Sequence, residues 1–110
     1  MAIPSRRRSP HLTESTSGRL GRALVDALRG RSHVSRRQLD DVVGEASMEL
    51  RLAGLPDPLV LATLGEMVED TGRECGADRP SLVTGQLRWM PVHARVLAIA
   101  RLTLADPASS

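Results

Sequence analysis

A chain of 110 residues can hold one compact core and is short for two. Trp89 is its only aromatic residue, so the core must come from Leu, Val and Ala, and stacking platforms for single-stranded nucleic acid are excluded. The net charge of +2 hides a segregation: residues 1–37 carry nine Arg against two acids, residues 38–78 two Arg against ten acids, and residues 79–110 four Arg against one acid.

In chain order, residues 1–17 read as a disordered, flexible basic arm with Pro4, Pro10, three consecutive arginines and a Ser/Thr cluster. By this reading, deleting residues 2–12 leaves the melting temperature nearly unchanged. From Gly18 to Arg29, Leu20, Leu24, Ala27 and Leu28 follow helical spacing, and Gly30 supplies a stop. The stretch HVSRRQLDDVVGEASMELRLAGLPDP, His33 to Pro58, opens the best-signalled helix. Ser35 and Gln38 fit a capping box, with Val34 and Leu39 as its hydrophobic staple. Leu39, Val42, Val43, Ala46, Leu50 and Ala53 make one apolar stripe, and Gly54 with Pro56 ends the helix.

A third helix is expected from Asp57 as N-cap and Pro58 at the first helical position, and to end at Gly72. Its buried face is Val60, Leu61, Leu64, Met67 and Val68. The segment SLVTGQLRW, after a turn-rich ECGADRP, reads either as a weak helix or as a short extended piece. Pro91 to about Leu104 forms a final helix apolar nearly all round, through Val92, Val96, Leu97, Ile99, Ala100, Leu102 and Leu104. Such a helix is central in a bundle or shared with a partner.

The fold expected is therefore all-α: a compact bundle of four to five short helices over residues 18–105, behind the Arg-rich arm, with residues 106–110 as a disordered tail. Its core is drawn from Leu24, Leu28, Leu39, Val42, Val43, Leu50, Leu61, Leu64, Val68, Val96 and Ile99.

Catalytic chemistry finds no support. His11, His33, His93 and Cys75 have no ligand spacing, the glycines form no phosphate loop, and no nucleophile elbow is present. No catalytic, metal or cofactor-binding residue is assigned. The acidic stripes Asp41, Glu45, Glu49 and Glu66, Glu69, Asp70, Glu74 lack the histidines of a bundle di-metal site and read as solvated faces or partners of an Arg-rich surface. A DNA-reading helix-turn-helix with its turn at Gly44 is disfavoured, because the reading helix would present Glu45 and Glu49 to phosphates.

Two features favour protein contact. Met48 and Leu52 lie opposite the core stripe of the second helix, and the final helix offers Leu97 near Trp89. The reading is a small non-enzymatic protein–protein interaction or regulatory module, with a homodimer among its allowed forms. The alternative is a nucleic-acid-associated protein whose Arg6, Arg7, Arg8, Arg19, Arg22 and Arg29 bind phosphates. All 15 basic residues are Arg, which reads as coding bias in a GC-rich genome ahead of selection for phosphate binding.

The lone Cys75 points to a reducing compartment, MAIPSRRRSP has no apolar signal region behind it, and VLAIA is the longest apolar run. A cytoplasmic protein without membrane contact is expected. LRLAGLPDPLVLATLGEMVED, followed later by LRW, resembles a helix-pair segment of short uncharacterised bacterial all-helical proteins. This sequence departs from them after the Trp, at Met90-Pro91-Val92-His93. The resemblance implies a bacterial, cytoplasmic, all-helical regulator or adaptor and carries no defined activity.

Overall fold

The computed structural model describes residues 11–30 and 36–105. Four helices account for its regular structure: α1 (Glu14–Leu28), α2 (Arg36–Leu52), α3 (Asp57–Glu74) and α4 (Met90–Ala105). Among the described residues there is no β-strand, only an isolated antiparallel bridge between Pro80 and Leu87. The all-α bundle is as the periodicity indicates.

The first helix starts earlier than its spacing implies. The Thr13 hydroxyl accepts the Thr16 N–H at 3.2 Å, capping a helix that begins at Glu14 rather than Gly18. Leu12, Thr16 and Ser17 are buried, so residues 12–17 belong to the folded domain and not to an arm. The reason is tertiary: Leu12 joins the core, and Thr13 and Thr16 find a partner on α2. The expected capping box and staple at Ser35 and Val34 lie outside the described residues, as do Arg6, Arg7, Arg8 and residues 106–110.

α2 runs unbroken through Gly44, which rules out a turn there. Its end follows the expected pattern. Leu55 N–H donates to Leu50 O at 3.2 Å and Gly54 N–H to Arg51 O at 3.0 Å, around Gly54 at φ 100°, a Schellman closure that a side chain at position 54 would strain.

The third helix departs from expectation at both ends. Pro56 holds the N-cap position, its carbonyl accepting from Leu59 and Val60, so Asp57 and Pro58 are the first two helical residues. Asp57 makes no side-chain cap there, and its charge faces the positive end of the helix dipole instead. Gly72 does not stop the helix, which continues to Glu74. The backbone turns at Gly76, φ 76°, and Ala77 N–H closes back onto Gly72 O at 2.7 Å. Gly72 is small for a different reason: a Cβ there would meet the Trp89 side chain at 2.8 Å.

Residues 81–89, open between helix and extended chain on sequence grounds, form a tight hairpin-like turn. Ser81 N–H donates to Gln86 O at 2.8 Å and Gly85 N–H to Ser81 O at 2.9 Å. Trp89 N–H then donates to Ala77 O at 3.1 Å, tying the start of α4 to the end of α3.

The helix pairs α1/α2 and α3/α4 are antiparallel, while α2 and α4 are parallel. Arg19 faces Glu45 and Thr16 faces Glu49, so α1 and α2 are antiparallel. Gly65 lies under His93 and Gly72 under Trp89, so α3 and α4 are antiparallel too. α2 and α4 run side by side in one sense, Asp40 beside Arg95 and Arg51 beside Leu104.

The core between them holds Leu12, Leu20, Leu24, Leu39, Val42, Val43, Leu50, Val60, Leu64, Met67, Val68, Val96, Ala100 and Leu104. Leu28, Leu61 and Ile99, expected inside, are half-buried at its margin. Ser47 and Thr71 are fully buried and satisfied, donating to Val43 O at 2.8 Å and Met67 O at 2.7 Å.

Candidate functional site

The clearest surface feature lies along the seam between α2 and α4. Successive turns of α2 place Asp40, Asp41, Gly44, Glu45, Met48, Glu49 and Leu52 beside a shallow groove, which Thr103 of α4 completes; its volume is ≈ 490 Å³. Helical spacing alone puts positions 41, 45, 48, 49 and 52 on one outer face. Only the crossing of α4 turns that face into a groove. The two helices come close at Gly44, where a Cβ would stand in ordinary contact, 3.6 Å, with Thr103 Oγ1. Leu52 is 82% exposed and Leu102, on α4, 74% exposed. The groove is shallow and open, with Met48 and Leu52 flanked by four carboxylates, and Leu102 lies outside its lining.

Those carboxylates are not equivalent. Asp40 accepts Arg95 Nη2 on both oxygens, at 2.9 and 3.1 Å, and Glu45 accepts Arg19 Nη2. Both pairs are about half-exposed, so each contributes about 1 kcal/mol or less. Glu49 is held more firmly, by the backbone N–H of Thr13 at 3.0 Å and the Thr16 hydroxyl. Burial, the largest single influence, acts to raise its pKa. The hydrogen bonds from Thr16 and Thr13, with the Arg19 charge, outweigh it and hold the carboxyl below its ordinary value.

Of the residues expected to contact a partner, Met48 and Leu52 come together in this groove. Trp89 does not join them. Its indole is half-buried against the core, over Gly72 and edge-on to His93 with ring centroids 5.4 Å apart. Leu97 is half-buried and does not line the groove. A surface feature missed on sequence grounds is the turn tip: Leu82 is 99% and Val83 92% exposed. Its signal was two apolar residues between Ser81 and Thr84 in a Gly-containing turn.

The candidate phosphate-binding arginines fall into two groups. Arg6, Arg7 and Arg8 lie outside the described residues. Arg19 and Arg22 line a second groove, ≈ 420 Å³ between α1 and α2, where Asp26 and Asp41 alternate with them; Arg29 is exposed at the end of α1. Cations interleaved with carboxylates present no continuous positive surface to a phosphate backbone.

No three His, Cys, Asp or Glu side chains among the described residues are grouped so as to hold a metal ion, and no described helix is long and apolar enough to cross a membrane. Comparison with protein-family models, curated proteins and solved structures finds no match to this chain.

Proposed function

We propose that this protein is a small, non-enzymatic protein–protein interaction or regulatory module, whose contact surface is the α2/α4 groove. The observation that carries the reading is that Met48 and the 82% exposed Leu52 share one shallow, open groove. Isolated surface leucines are ordinary; adjacent apolar side chains ringed by charged ones favour a recognition surface. The resemblance of Leu50–Asp70 to short bacterial helical proteins supports a cytoplasmic regulator or adaptor. The nucleic-acid alternative loses ground because Arg19 is engaged by Glu45 and Arg22 lies among carboxylates.

A photo-crosslinking residue at position 52, activated in the cells that make the protein, tests the reading. A discrete protein adduct, absent when the probe stands at exposed Glu66 instead, is expected. No adduct at position 52, together with salt-sensitive binding of a labelled DNA duplex, overturns it in favour of phosphate binding.

A further inference from the structure

The turn between α3 and α4 presents Leu82 and Val83 almost wholly to water, at 99% and 92% exposure. These are adjacent aliphatic side chains at a tip built to stand by itself. Ser81 N–H donates to Gln86 O and Gly85 N–H to Ser81 O, while the Ser81 and Thr84 hydroxyls accept from Val83 N–H at 3.2 Å and Gln86 N–H at 3.3 Å. The tip therefore keeps its shape without packing against anything, and a pre-shaped apolar projection loses little conformational freedom when it is buried by a partner. At its base Arg79 and Arg88 are exposed on the two sides of the Pro80–Leu87 bridge, with Asp78 one residue further out.

We infer that the tip of one molecule, Leu82 and Val83, inserts into the α2/α4 groove of a second copy of this chain, so that the protein associates with itself. This deepens the interaction reading and rests on it. The complementarity is of two kinds. The groove offers Met48 and Leu52 to the tip's aliphatic side chains. Two of its four carboxylates, Asp40 and Glu45, already carry Arg95 and Arg19, and the negative charge that Asp41 and Glu49 leave over is what the tip's Arg79 and Arg88 would meet. The same opposition is written along the chain, where residues 38–78 carry ten acids against two Arg and residues 79–110 four Arg against one acid.

A molecule does not fill its own groove. The tip precedes Met90, at the start of α4, whereas the groove is lined on the α4 side by Thr103, beside Gly44. Those points are about 20 Å apart along the helix at 1.5 Å per residue. Tip and groove are different surfaces, so two copies either exchange tips reciprocally or add head to tail.

Light scattering and sedimentation over a range of concentrations provide the test. The wild-type chain is expected to associate as concentration rises. Leu82→Asp in the tip and Leu52→Arg in the groove are each expected to weaken association by about tenfold or more. Both side chains are exposed, so thermal unfolding of the two variants matches the wild type. The decisive arm mixes the two variants. A Leu52→Arg molecule keeps an intact tip and a Leu82→Asp molecule an intact groove, so the mixture forms a one-to-one heterodimer that neither variant forms alone.

A wild-type chain that stays monomeric at every concentration overturns the inference, as does association that both substitutions leave intact. A mixture that does not recover association overturns it too. A monomeric wild type that still gives a foreign-protein adduct at position 52 discards the self-association and leaves the interaction reading standing.

Discussion

The carboxylate of Glu49 on α2 accepts the backbone N–H of Thr13 at 3.0 Å, 36 residues away in the chain, and so fastens the entry of α1 to the bundle. The Thr16 hydroxyl donates to the same carboxylate. One acid from the outer stripe of α2 thereby completes the cap of another helix.

Replacing Glu49 removes that fastening. Glu49→Ala is expected to lower stability by about 1 kcal/mol, the cost of a charge-assisted hydrogen bond at a partly solvated site. Because the folded-state pKa lies below the ordinary value of 4.5, Glu49 stabilises the fold above that value and the contribution disappears as pH falls through the folded pKa. Urea unfolding at neutral and acid pH checks this. The wild type loses an increment on acidification that Glu49→Gln does not show, and equal losses would contradict the assignment.

Leu12 tests where the folded domain begins. It is buried in the core cluster, so Leu12→Ala is expected to cost about 2 kcal/mol, and deleting residues 2–12 to cost at least as much. Removing residues 2–10 alone leaves Leu12 and the Thr13 cap in place, and the melting temperature is expected to stay within a degree or two of the wild type. A calorimetric scan of the two truncations separates the cases.

Two glycines with the same helical geometry should respond oppositely to alanine. At Gly72 an added Cβ lies 2.8 Å from the Trp89 Cβ, which is fixed to the backbone and cannot swing aside. Gly72→Ala is expected to destabilise by about 1–3 kcal/mol and to shift Trp89 fluorescence. At Gly18 nothing lies within 4 Å, and Gly18→Ala is expected to stabilise by about 0.5–1 kcal/mol through backbone entropy. If both substitutions move stability the same way, the close approach of α4 to α3 is not as described.

Leu50 is fully buried at the centre of the α2 stripe. Leu50→Ala is expected to cost about 2–5 kcal/mol. Leu50→Asp buries an unpaired charge and should abolish cooperative thermal unfolding; a sharp transition in that variant would refute the stripe.

Much of the architecture was present in local signals. The apolar spacing of Leu39, Val42, Val43, Ala46 and Leu50, with Gly54 behind it, describes α2 because helix periodicity and Schellman closure involve residues within a turn or two of each other. The same locality placed Met48 and Leu52 on the outer face of α2.

Decisions that hinge on a distant partner were not legible. Thr13 caps α1 locally through the Thr16 N–H, but the fastening of that cap to the bundle hinges on Glu49, which nothing within four residues announces. Gly72 resembles a helix stop until Trp89 is seen resting against it, the room for an indole being set by α4 and not by the glycine's neighbours. Glu45 belongs to an acidic stripe in one dimension and to an ion pair with Arg19 in three. The sequence by itself determined which faces are apolar and where the backbone bends freely. The tertiary structure alone decided which faces meet, turning the outer side of α2 into a groove where Thr103 crosses Gly44.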